Sequence, residues 1–266
     1  LAIGKNTRMA YIQRSSGYSW RPALTIKEIQ KLIQAVKEQN PRTICLVDNC
    51  YGEFVEDREP GEVGADLTVG SLIKNPGGGL APTGGYLVGG LDYIRAAARR
   101  LTAPGIEGSV GSSLGTNRWF YQGLFLAPHM VGEALKGAVL AARLFESLGL
   151  EVKPHFSAIR GDIIQAVKLG HPTALIEFCQ AVQCASPVDS MAVPVPGRLP
   201  GYDHEVIMAA GTFVQGATLE LSADAPMREP FIAYLQGGLT ADHTLFATLC
   251  IAQKLADKKL LPIEFF

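Results

Sequence analysis

Apolar positions recur with two different periods along this chain. Between 25 and 39 they fall three and four apart: Ile26, Ile29, Ile33 and Val36, with Leu32 beside them, make one stripe, which predicts an amphipathic helix. Thr25 and Glu28 form a capping-box pattern at its start, and Asn40-Pro41 stops it. Met9 to Gln13 and Thr43 to Val47 are short runs that predict strands on either side. Strand, helix, strand with a right-handed crossover is the parallel βαβ unit. Two further strands are predicted, Leu67 to Leu72 and Tyr86 to Val88, the last of them antiparallel.

The pattern then turns helical. Helices are predicted over Asp92 to Leu101, Asn117 to Leu126 and Pro128 to Leu148; the last has Pro at its start and Gly149 beyond its end. Thereafter short strands are expected at Val152 to His155 and Asp162 to Lys168, with a helix over Pro172 to Cys184. A Pro-rich loop, Ser186 to Pro200, leads to a predicted hairpin of Glu205 to Ala210 and Ala217 to Ser222 around Gly211 and Gly216. Ala241 to Ala256 closes the chain as a helix. The expected organisation is α/β: residues 1–127 carry a partial, mostly parallel sheet, and 128–266 supply a linker helix and a small α+β domain.

Composition narrows the partners. The 266 residues are 47% hydrophobic and 18% charged, with formal net charge −1. That balance gives no electrostatic case for nucleic acid. No apolar run is expected to reach the ~20 residues that cross a bilayer. Five cysteines (Cys45, Cys50, Cys179, Cys184, Cys250) lack framework spacing and suit a reducing, cytoplasmic setting. The histidines at 129, 155, 171, 204 and 243 are scattered and read as structural, and no metal site is expected.

Chemistry enters at two strand ends. The strand from Thr43 runs into Asp48, and an acid at the carboxyl end of a parallel strand sits where open α/β sheets bind ligands. The strand from Leu67 ends near Lys74, followed by Gly77, Gly78 and Gly79. A lysine amine condenses with aldehydes, and a glycine loop allows backbone to approach a flat, charged cofactor. The same strand–Lys–Gly sequence also makes an ordinary turn. Arg14 and Arg21, in the loop after the first strand, could hold a carboxylate or phosphate by paired hydrogen bonds; a plain surface loop is the other reading.

VDNCYGEF (47–54) followed by GADLTVGSLIKNPGGGLAPTGGYLVGG (64–90) resembles the pyridoxal-phosphate-dependent carbon–sulfur lyases known as methionine γ-lyase-like or aluminium-resistance proteins. IQRSSGYSWRP (12–22), QGLFLAPHMVGEALKGA (122–138), PGYDHEVIMAAGTFVQGATLELSAD (200–224) and YLQGGLT (234–240) extend the likeness over nearly the whole chain. Family members run further on the N-terminal side, so the chain is expected to be an N-terminally truncated piece. The resemblance implies a fold-type I pyridoxal-phosphate transferase-like architecture and elimination of sulfur from a cysteine-, methionine- or cystathionine-like substrate. It implies Lys74 as the catalytic and cofactor-bearing lysine, Asp48 on the pyridine nitrogen, Tyr51 beside the ring and Ser71 on the phosphate. Arg228 is expected on the substrate carboxylate, with Arg14 as a second substrate contact. A homodimer or homotetramer is implied, with the Thr102–Gly111 loop at a subunit boundary; a plain linker is the other reading of that loop. An aminotransferase or decarboxylase on the same scaffold, or an inactive fragment with a binding role, are the competing expectations.

Overall fold

The computed structural model describes residues 2–110 and 113–262. Gly111, the end of the predicted boundary loop, lies outside the described residues. Four strands, β1 (Met9–Gln13), β2 (Ile44–Asp48), β3 (Leu67–Ser71) and β4 (Gly85–Gly89), form one sheet in the order β1-β2-β3-β4. The first three run parallel and β4 is antiparallel to β3, as the pattern predicts. Helix α1 (Ile26–Gln39) makes the crossover between β1 and β2. Thr25 caps it, and both halves of the capping box are present. Its stripe of Ile26, Ile29, Ile33 and Val36 is buried with Ile12, Cys45, Val47 and Val63. Burying each of these side chains contributes roughly 1.5–3 kcal/mol.

Helix α2 (Leu91–Leu101) follows and buries none of its residues. Helix α3 runs unbroken from Asn117 to Ser147 with Pro128 inside it, where two helices were expected. Pro128 has no N–H to offer the Leu124 carbonyl. The lost bond falls on an exposed stretch, Leu124 and Phe125, where water can serve that carbonyl. On the other side Gly123, Ala127, Val131, Ala134, Gly137, Ala138 and Ala141 form a buried small-residue stripe that holds the helix through the proline. The predicted boundary at 127/128 therefore falls inside one element. Among the described residues α3 is also the one helix long and apolar enough, by length and composition, to cross a membrane. In this fold the helix packs on the second sheet, on the C-terminal helix and on the Asn75–Gly77 turn.

The second sheet comprises β5 (Glu151–Lys153), β6 (Gln165–Lys168), β7 (Val206–Ala209), β8 (Ser222–Pro226) and β9 (Ile232–Gln236), in the order β5-β6-β9-β8-β7 with every neighbour antiparallel. Helices α4 (Pro172–Cys184) and α5 (Ala241–Asp257) cover one face with the C-terminal half of α3, burying Phe145, Phe178, Leu175, Ile207 and Ile251. The predicted hairpin is corrected here. β7 pairs with Ser222–Pro226, not with 217–221, and β9 was not anticipated. β8 reads Ser-Ala-Asp-Ala-Pro, without a β-branched or aromatic residue, and β9 is buried at all five positions, so neither shows the alternation of a half-buried strand.

Candidate active site

β2 and β3 are adjacent and parallel, with Asp48 opposite Val69, so their carboxyl ends open on the same side of the sheet. Asp48 ends β2. Its Oδ2 accepts the Tyr11 hydroxyl at 2.7 Å and its Oδ1 accepts the Cys50 N–H at 3.1 Å. These two bonds fix both carboxylate oxygens. Burial and then Asp48 push the Tyr11 phenol up to about 12, so Tyr11 donates throughout the physiological range. Tyr11 was missed in the sequence because it reaches Asp48 only through the β1–β2 register, which no local spacing encodes.

Lys74 follows β3 by three residues. Its N–H bonds the Ser71 carbonyl at 3.3 Å, and a short 3-10 turn, Asn75–Gly77, begins after it. The buried Asn75 side chain donates to the Glu53 carbonyl at 2.9 Å and pins this turn to the loop after β2. A Cβ on Gly77 would strike the Leu72 carbonyl, one on Gly78 would strike the Gly123 carbonyl of α3, and one on Gly79 would meet Leu239. Glycine at 78 thus lets the loop pass close beneath α3. Gly78 and Gly79 also take φ of +55° and +75°, which favours glycine.

The Lys74 amine lies 4.3 Å from the centroid of the Tyr51 ring. Tyr51 has φ +71°, an uncommon value for a side-chain-bearing residue, and its carbonyl accepts the Ile163 N–H at 3.2 Å. That contact presents the phenol between the two sheets, where it packs with Val131, Ile163 and Leu219 on one side and Ile164 and Tyr234 on the other. Burial opposes the charge on Lys74, but Tyr51, Cys50 and Asp48 together outweigh it and raise the amine above its ordinary value. Cys50 stands between the two groups; burial, with Asp48 adding and Lys74 opposing, pushes its thiol up to about 12 and leaves it an inert thiol at neutral pH.

Lys74, Asp48 and Tyr51 are thus brought together, and Ser71 ends β3 on the same side. The three candidate arginines are not part of this group. Arg14 is fully buried: Nη1 donates to Asn49 at 2.8 Å and Nη2 to Glu56 at 3.3 Å, with Glu59 at 3.7 Å. Its fork is committed to the loop after β2, so the expectation that it meets substrate is corrected. Arg21 bonds the Ser15 and Pro22 carbonyls. Arg228 is exposed in the turn between β8 and β9 and donates to the Tyr18 carbonyl at 2.8 Å. It lines a separate cavity of about 320 Å³ with Tyr18, Trp20 and Tyr234.

The donor set fits the cofactor implied by the sequence. Pyridoxal phosphate is an aromatic aldehyde with a basic ring nitrogen; Lys74 offers the amine and Asp48 the carboxylate, from neighbouring strand ends, with an aromatic face at Tyr51.

The chain is thus a mixed α/β fold whose adjacent strand ends present a lysine and an aspartate. The chain belongs to the methionine gamma-lyase family, whose profile matches residues 1–256. It is 53% identical over 260 residues to YnbB of Bacillus subtilis (strain 168), covering 98% of this chain and 62% of that protein. It is 53% identical to a carbon-sulfur lyase involved in aluminum resistance from Clostridium novyi NT, with TM-score 0.87, covering 93% of this chain and 57% of that one. A Listeria innocua structure, provisionally titled a cystathionine beta-lyase involved in aluminum resistance, is 50% identical with TM-score 0.90, over 95% of this chain and 62% of that one. The chain therefore spans less than two thirds of these relatives' length.

Proposed function

We propose that this chain carries the lysine-bearing part of a pyridoxal-phosphate-dependent carbon–sulfur lyase that acts on a sulfur amino acid by α-proton abstraction and elimination. The observation that carries this reading is the Lys74 amine, 4.3 Å from the Tyr51 ring centroid with Asp48 on the adjacent strand end. Bound pyridoxal phosphate supplies an electron sink for the charge left at the substrate α-carbon. Lys74 Nζ would hold the cofactor aldehyde and, once the substrate amine has displaced it there, the freed amine would be the base that takes the α-proton. The free amine is raised above its ordinary value, so it must lose its proton before it can act. Asp48, steadied by Tyr11 and the Cys50 N–H, would pair with the ring nitrogen. Tyr51 would lie beside the ring, and Ser71 would receive the phosphate. Arg228 is the candidate partner for the substrate carboxylate, and reaching it requires the β8–β9 turn to give up its bond to Tyr18.

The test is spectroscopic. Pyridoxal phosphate added to the protein should produce the long-wavelength absorption of a lysine-bound aldehyde, and Lys74→Ala should abolish it together with thiol release from sulfur amino acids. A band of undiminished intensity in Lys74→Ala would end the assignment.

A further inference from the structure

Tyr11 and Asp48 share one face of the four-stranded sheet. Ile12 and Val47 turn to the other face, where α1 covers them. In the β1–β2 register Tyr11 stands opposite Leu46 and Gln13 opposite Asp48. Strand alternation therefore sets Tyr11 and the acid on the same side, as diagonal neighbours. A phenol is long enough to cross that diagonal, and its hydroxyl donates to Asp48 Oδ2 at 2.7 Å. Packing does not account for this side chain, because Tyr11 is 59% exposed in this chain.

An aspartate carboxylate turns about a soft terminal torsion. Asp48 is held from two directions. Oδ1 accepts the Cys50 N–H at 3.1 Å, a local contact to the backbone two residues on. The Cys50 thiol, a weak donor, also faces the acid. From the other direction comes the Tyr11 hydroxyl, which reaches across from the neighbouring strand. A hydrogen bond to a carboxylate is of the stronger, charge-assisted kind. Without Tyr11 the Cys50 contacts alone would set the carboxylate plane.

In the lyase reading, on which this inference rests, Asp48 is the partner of the cofactor ring nitrogen. We propose that Tyr11 is a positioning residue for that pairing: its hydroxyl fixes the plane of the Asp48 carboxylate and so sets how tightly Asp48 holds a protonated ring nitrogen. Tyr11 acts through Asp48 in this assignment and takes no part in bond breaking. Tyr11→Phe keeps the ring and removes only the hydroxyl.

The experiment titrates the protein with pyridoxal phosphate and with the analogue that carries CH in place of the ring nitrogen. It uses the wild type, Tyr11→Phe, Asp48→Asn and the double variant, and reads affinity from the absorption of the lysine-bound aldehyde. The analogue is the internal control for folding, since it needs every contact except the one at the ring nitrogen. Tyr11→Phe should weaken pyridoxal phosphate about tenfold and leave the analogue within about twofold. In the Asp48→Asn background the same change should cost less than about twofold, because the pairing it serves is gone. Equal weakening of both aldehydes, weakening of neither, or full additivity with Asp48→Asn overturns the assignment, and a lysine-bound band in the wild type then leaves the lyase reading standing. Absence of that band in the wild type with either aldehyde sinks the lyase reading and this inference together.

Discussion

The two sheets of this molecule are finished to different degrees. The five-stranded sheet has a face closed by α3, α4 and α5, and β9 is buried along its whole length. The four-stranded sheet is sealed by α1 on one face, yet β4 has no buried residue and α2 has none either. Val88, Leu91 and Leu101 stand 60%, 61% and 87% exposed beside them. A groove of about 900 Å³ runs along this thinner side between Phe54, Tyr86, Val88 and Leu124. Asp48 and Lys74 belong to the thinly covered sheet. This chain spans less than two thirds of its relatives' length, so the thin cover is that of this stretch of chain alone.

Mutation can sharpen or break that contrast. Phe178→Ala removes a fully buried ring from the five-stranded side and should cost about 3–5 kcal/mol in chemical denaturation. A loss under 1 kcal/mol would mean that this core is not tightly packed. Gly123→Ala on α3 forces apart the helix and the Lys74 turn and should cost about 1–3 kcal/mol. It should also weaken pyridoxal phosphate binding, read from the same absorption titration, whereas Phe178→Ala should leave that affinity of the folded protein unchanged.

Glu53 gives a pH-shaped effect on the thinner side. Burial, resisted by the hydrogen bond from Tyr86 at 2.8 Å, raises its carboxyl from 4.5 to about 8. The folded state keeps that proton up to about 8, whereas the unfolded chain releases it near 4.5. The folded state binds more protons in this window, so stability falls as pH rises through it. Glu53→Gln should flatten the decline, as measured by melting temperature from pH 5 to 8; an unchanged slope would assign it to other groups. Thr25→Ala removes the α1 cap and should cost about 1 kcal/mol. Leu101→Ala, on the uncovered helix, should change stability by less than about 0.5 kcal/mol.

The legibility of the chain follows the same division. The capped helix α1 and its flanking strands were readable because each carries a local period and local punctuation. Asp48, Lys74 and Tyr51 were readable as a motif, and the structure gathers them. Tyr11 was not, because its reach to Asp48 depends on strand register. Arg14 was misread for a related reason. A paired-donor side chain in a loop looks available in sequence, and only the fold shows Asn49 and Glu56 already holding it. Pro128 misled in the opposite direction, since a buried stripe of small residues outweighs one missing hydrogen bond.

Where the Lys74 turn meets α3, Gly77 and Gly78 lie against Gly123, peptide plane on peptide plane with no side chain between them. The floor beneath the amine is therefore set by bonded geometry alone, which has no rotamers to drift among. All the adjustable torsions sit above that floor, in the lysine's own four-carbon stem. The anchor of Lys74 is thereby fixed by backbone alone, and what freedom the residue has lies in its own stem.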